Sequence, residues 1–252
     1  MIPLTPNTFR SLEEKVKFVE SLSIGAKLNY EKKNADNGIT KNKYRNGTSD
    51  EVNQVVYDNF KDTYLIDVYT ENGFDHIRLY NKEDKNLYVL IREGTYKEQI
   101  ESKEDESLAV HYLKAYAYMN RHVSKVPFKL TGQLMLFGED NNEIGTRKEH
   151  LVQQKVREVI GNIDVELVHI ITYDVSRGNL LFAKSRIPSS ELRHMPIYEE
   201  DMSEFIVTYN NQDETVGTTV KAEHTELSDE MQKQIITGLL KLKGKEKDNS
   251  DK

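Results

Sequence analysis

The residue type best placed to start chemistry in this chain is a carboxylate in the middle of an apolar run: Asp67, within residues 63–71. Hydrolysis assisted by a divalent ion uses such a carboxylate together with a second acid and a Lys two residues apart on a neighbouring strand, which hold the ion and activate water. The Glu-x-Lys strings nearby, Glu83-Asp84-Lys85 and Glu101-Ser102-Lys103, fall in polar stretches that read as turns or loops. Arg78, on the next run, offers Asp67 the simpler role of a cross-strand ion pair. The seven histidines, at 76, 111, 122, 150, 169, 194 and 224, show no metal-ligand spacing, and His169 interrupts an apolar strand as a core histidine would. Phosphate-cradling glycine loops and the nucleophile elbow are absent as motifs. With no cysteine, zinc fingers, iron–sulfur clusters, thiol nucleophiles and disulfides are excluded together. The expectation is therefore no cofactor and no metal, with Asp67 the one catalytic candidate.

A second kind of chemistry, peptide capture, is offered by Thr131-Gly132-Gln133-Leu134-Met135-Leu136-Phe137-Gly138. Gln133 to Phe137 resembles the pentapeptide by which bacterial polymerases, mismatch-repair proteins and initiation regulators dock on the DNA sliding clamp. The resemblance covers these five residues. It implies that the Gln133 amide bonds clamp backbone, Leu134 lies in a groove, and Leu136 with Phe137 fills an apolar pocket. Met135 stands where Ser or Asp is common. An extended segment of this kind presents alternate side chains to pockets while its main chain fixes the register, and a Leu-Phe anchor can supply a hot spot. The competing reading is a buried strand, because Phe128, Leu130, Leu134 and Leu136 nearly alternate. Flanking Gly132 and Gly138, and the polar turn through Asn142, favour presentation of the peptide.

Composition bounds the partners. Hydrophobic content of 37% and charged content of 31% describe a polar but globular chain. A net charge of −7 argues against a broad nucleic-acid surface, which draws on clustered Lys and Arg. One basic stretch remains, Lys32, Lys33, Lys41, Lys43 and Arg45 in a loop over residues 31–47, as a candidate phosphate contact or a solvated loop. Arg177, Lys184, Arg186 and Arg193 mark a second basic region, whereas acids dominate residues 199–230. No long apolar run and no signal-peptide pattern is present, so a cytoplasmic protein is expected.

The elements that must position these groups follow from periodicity. Ser11 to Glu14 is a capping box opening a helix to about residue 24, Thr48 to Glu51 opens another, and Thr146 to Glu149 a third. Strands are expected at 63–71, 74–81 and 87–92. The dipeptide Asn72-Gly73 specifies a two-residue turn, which sets Val68 against Ile77, Ile66 against Leu79, Tyr69 against His76 and Asp67 against Arg78. One face of this hairpin is aliphatic and assigned to the core. A helix from Asp105 to about Arg121 carries Tyr112, Ala115, Tyr116 and Met119 on one side. Further strands are expected at 164–174, 178–187 and Glu204 to Tyr209, then a helix from Ser228.

The fold class expected is thus α+β: two sequential helix, three-stranded antiparallel meander, helix units after an N-terminal helix, as in a pseudo-duplication. Residues 1–47 hold the first helix and basic loop, 48–121 the first unit, 122–145 a linker with the docking peptide, 146–241 the second unit and 242–252 a charged tail expected to be disordered. The reading is a non-enzymatic binding protein of bacterial or phage DNA metabolism, recruited to the sliding clamp. The alternatives are a metal-dependent nuclease of restriction or defence type, or a protein-interaction module without a DNA role.

Overall fold

The computed structural model describes residues 8–36, 47–71, 73–101, 110–124, 141–192 and 195–207. The α+β class holds. In chain order the elements are α1 (Leu12–Ala35), α2 (Gly47–Phe60), β1 (Leu65–Glu71), β2 (Phe74–Tyr80), β3 (Asn86–Arg92), α3 (Glu93–Glu101), α4 (Tyr112–Met119), α5 (Asn141–Ile160), β4 (Leu167–Ser176), β5 (Asn179–Ile187) and β6 (Tyr198–Asp201). Single 3-10 turns follow α4 at Asn120–His122 and β6 at Ser203–Phe205.

The six strands form one sheet in sequence order. Neighbours are antiparallel except β3 and β4, which run parallel at the centre and join the two meanders into one sheet. A parallel pair must be bridged by a crossover and buried on both faces. Residues 87–91 and 167–173, unbroken runs of large side chains interrupted by little that is polar, are the sequence form of that burial.

Side-chain alternation splits the core in two. On one face, Phe18, Val19 and Leu22 of α1 and Val52, Val56 and Phe60 of α2 pack on Ile77, Leu79, Tyr88, Leu90, Ile171 and Tyr173. On the other, Tyr96, Tyr112, Leu113, Tyr116, Val159 and Ile160 of α3, α4 and α5 pack on Leu87, Val89, Ile91, Val168 and Ile170. Helices therefore clad both faces. Among the described residues, no helix is long and apolar enough to cross a membrane.

The β1–β2 register is as the turn dipeptide requires, with Val68 on Ile77, Ile66 on Leu79, Tyr69 on His76 and Asp67 on Arg78. The aliphatic face packs in the first core through Ile77, Leu79 and Ile66, with Val68 left 58% exposed. The opposite face is buried too, His76 and Arg78 lying beneath α4 and α5.

Several boundaries also differ. Helix α1 continues to Ala35, so Lys32 and Lys33 lie in its last turn rather than in a loop. Gly25, just past the end expected near residue 24, is the point where α2 crosses: a Cβ there would lie 2.5 Å from the Val52 Cα. Ser11 caps α1 as expected, its Oγ accepting the Glu14 N–H at 3.1 Å, but the Glu14 carboxylate takes the Arg10 N–H at 3.2 Å rather than that of Ser11. Thr48 and Thr146 fall inside their helices, which start at Gly47 and Asn141. The Thr48 hydroxyl instead accepts the Asn29 side-chain amide at 2.7 Å, tying α2 to α1.

Helix α3, whose Tyr96 is buried, was hidden by its charged sequence, and α4 begins only at Tyr112. The second hairpin is tighter than expected. Ser176 pairs with Asn179 around Arg177 (φ 50°) and Gly178 (φ 80°), the two positive φ angles of a type I′ turn. Among the described residues, 204–207 of the strand expected from Glu204 to Tyr209 do not form one: Phe205 and Ile206 fold back onto the first core through the 3-10 turn. The strand is the charged tetrad Tyr198–Asp201, which pairs with β5. Hydrophobic periodicity could not find it, because its side chains are held by ion pairs, Lys184 to Glu199 at 3.1 Å and Arg186 to Glu199 at 2.6 Å. The pentapeptide Gln133 to Phe137, the helix expected from Ser228 and the charged tail lie outside the described residues.

Candidate functional site

Asp67 leads to a polar assembly at the rim where the β1–β2 hairpin meets α4 and α5. Its carboxylate receives Arg78 in a forked pair, Nε to Oδ1 at 2.7 Å and Nη2 to Oδ2. The Arg78 Nη1 donates to the Val159 carbonyl at the end of α5, and its guanidinium lies 5.4 Å over the Tyr69 ring. Arg78 is buried while the Asp67 side chain is 49% exposed. Both Asp67 oxygens thus face a cation of the same chain. Glu83 pairs with Arg10 at 3.1 Å and Lys85 with Asp164 at 2.6 Å, so the nearby Glu-x-Lys string spends its charges elsewhere. Glu101 ends α3, and Ser102 and Lys103 lie outside the described residues. Among the described residues, no three His, Asp or Glu side chains are grouped to hold a metal ion.

Beside this pair the hairpin packs by rings. His76 stacks on Tyr112 at 4.5 Å and 21°, with Tyr69 at 5.3 Å, and the His76 Nε2 lies 3.1 Å from the Tyr116 hydroxyl. His111, the N-cap of α4, lies 4.1 Å from Tyr112 and accepts the Leu113 N–H at its Nδ1. Burial, with help from the Arg78 cation, drives the His76 pKa down to about 3, and burial drives that of His111 down to about 4. Both imidazoles are neutral at pH 7. An ionic chain closes the rim: the Lys155 ammonium reaches Glu71 at 3.1 Å and Glu158 at 2.9 Å, and the Tyr69 hydroxyl donates to Glu158 at 3.0 Å. Those bonds hold the Lys155 pKa above its usual range despite its partial burial.

What this arrangement does chemically is to fasten. Its charged groups pair with one another, and its rings pack in stacked, tilted and edge-on contacts. Replacing Asp67 by Ala leaves the buried Arg78 cation without its forked partner, so we expect a loss of about 2–3 kcal/mol, somewhat below the roughly 3–5 kcal/mol typical of breaking a fully buried pair because Asp67 is half-exposed. At this chain length that is a fall of roughly 5–10 °C in melting midpoint by circular dichroism. An unchanged midpoint would mean that the carboxylate has no structural part.

The other seams behave alike. Arg186, buried, donates to Glu93 at 2.9 Å, to Glu199 and to the Thr172 hydroxyl. Lys184 and Arg186 of the second basic region thus pair with Glu199 and Asp201 of β6, while Glu200 pairs with Lys15 of α1 and Arg193 lies outside the described residues. Lys32 is bound to Glu51 at 2.6 Å, and Lys41, Lys43 and Arg45 lie outside the described residues. His169 is fully buried, its ring 5.0 Å from Tyr88 and its Nδ1 3.4 Å from the Ser185 hydroxyl. Its Nε2 has no hydrogen-bond partner among the described residues.

Sequence reasoning placed Asp67, Arg78, Tyr69 and His76 on one strand face but missed His111, Lys155, Glu71 and Glu158. The signal was partly there: Tyr112 and Tyr116 share a stripe, and Lys155 and Glu158 are one helical turn apart. Which strand face that stripe would cover was not legible.

Fold and site together define an α+β protein of three layers, helices on both faces of a mixed sheet, whose described polar clusters serve its own packing. The chain belongs to a family of unknown function, DUF5986, whose model matches residues 9–252. Neither a curated protein nor a solved structure matches it.

Proposed function

We propose that this protein acts by binding, and that the peptide Gln133 to Phe137 docks it on a bacterial or phage DNA sliding clamp during replication or repair. The observation that carries the reading is the sequence itself: Gln133, Leu134, Leu136 and Phe137 in clamp-motif order between Gly132 and Gly138. Helices α4 and α5 pack against each other, with the Tyr118 hydroxyl on Glu149 at 2.9 Å. Residues 125–140, which hold the peptide, lie in the chain between Ser124 and Asn141, the start of α5.

The test is a synthetic peptide of residues 131–138 titrated onto purified bacterial sliding clamp by fluorescence anisotropy. Saturable binding is expected. Alanine at both Leu136 and Phe137 removes the anchor and weakens binding by at least about 2 kcal/mol, roughly thirtyfold in Kd. A peptide that does not bind, or binds equally well without Leu136 and Phe137, overturns the reading.

A further inference from the structure

The two edges of the sheet are built differently. The β6 edge has four residues, Tyr198–Asp201, three of them acidic, and Pro196 just before it. Short, charged and proline-flanked edges are how sheets avoid pairing with other chains. The β1 edge is longer and less guarded. It runs seven residues in unbroken register with β2, carries neither Lys nor Pro, and among the described residues no strand lies beyond it. Large apolar side chains stand exposed along it on both faces: Leu65 at 52%, Val68 at 58% and, on the adjoining strand, Phe74 at 63%. Its two acids are neutralised from within, Asp67 by Arg78 and Glu71 by Lys155.

We propose that β1 is a self-pairing edge, and that two copies of this chain join β1 to β1 antiparallel about a two-fold axis at Val68. The occupant follows from charge. With the axis at Val68, Val68 meets its own copy, Ile66 meets Thr70, Asp67 meets Tyr69 and Leu65 meets Glu71. No acid faces an acid. Moving the axis one residue, to Tyr69, would set Asp67 against Glu71 on both sides of the axis, and directly opposed like charges destabilise a ladder. The favoured register also brings β-branched Val68 onto itself, beside Ile66 and Thr70, a combination that suits a pleated surface. A symmetric pairing uses up the exposed edge and stops at two copies.

Sedimentation velocity of the full chain over a range of concentrations tests this, together with Val68→Lys. That side chain is exposed in the single copy, so the variant folds, which its circular dichroism and melting midpoint verify. The expected result is a monomer–dimer equilibrium for the native chain, weakened at least about tenfold by the paired lysines. Hydrogen exchange adds a second readout: backbone amides of β1 gain protection as concentration rises, and do not in the variant. A native chain that stays monomeric, a dimer indifferent to Val68→Lys, or growth beyond the dimer overturns the proposal.

Discussion

Gly25→Ala is expected to destabilise the protein strongly, although in a plain helix the same change would stabilise it. Alanine gains about 1 kcal/mol over glycine in a helix interior. Here its Cβ would meet backbone, 2.5 Å from the Val52 Cα, 2.8 Å from the Val52 nitrogen and 3.0 Å from the Glu51 carbonyl. Backbone cannot rotate aside, so α1 and α2 must separate by about an ångström or more along a contact that includes Phe18, Leu22, Val52 and Val56. Overpacking of this sort costs typically 1–3 kcal/mol and at times more. We expect the clash to outweigh the propensity gain, and Gly25→Val, with two further methyl groups and lower helix propensity, to prevent folding. Gly94 supplies the control. It lies in α3 with nothing within 4 Å of an added Cβ, so Gly94→Ala should raise the melting midpoint. Opposite signs for the two alanines are the result to look for. Equal signs would place α2 away from Gly25.

The second large effect is loss of stability in mild acid. His76 and His169 are buried, and burial lowers their pKa values to about 3 and about 4, from the ordinary 6.5. Half-buried His111 is lowered to about 4, and screening by solvent makes its share smaller. The unfolded chain takes up a proton at each site near pH 6.5, and the folded chain refuses it until pH 4 or 3. Stability is therefore fully present above about pH 6.5 and falls as pH drops from there toward the folded-state values. By the bottom of its window His169 can remove about 3 kcal/mol and His76 up to about 5 kcal/mol, against a total that is commonly about 5–15 kcal/mol. Glu158 and Glu199, whose pKa values their cationic partners hold low, lose their contributions only below the ordinary carboxylate range. The interval from pH 5 to 6.5 thus isolates the histidines. Melting midpoints should fall across it, and His169→Gln should flatten the slope. A midpoint independent of pH there would mean that the imidazoles are not buried.

These effects show what could be seen in the sequence. The hairpin register was legible to the residue because Asn72-Gly73 fixes the turn, and a turn fixes every pair that follows. The central strands were legible because burial on both faces leaves an unbroken apolar run. Less was visible where structure rests on charge. Strand β6 is held by Lys184 and Arg186, and a pattern search for apolar alternation passes over Glu199-Glu200-Asp201 to settle on Phe205-Ile206-Val207. The extent of α1 past residue 24 was hard to read as well, because a glycine that permits close approach, as Gly25 does, and a glycine that ends a helix are the same letter. For the site, Asp67 stood out as a lone carboxylate in a strand, and its meaning depended on Arg78, Val159 and Tyr69, two of which a hairpin count supplies and one of which only the packing of α5 provides.

The central claim is that this protein is a docking protein, and the most direct measurement is calorimetric titration of the full chain against purified bacterial sliding clamp, beside a Leu136→Ala/Phe137→Ala variant shown by circular dichroism to be folded. The account predicts saturable heat for the native chain and none for the variant. Absence of binding by the native chain, or undiminished binding by the variant, would contradict it.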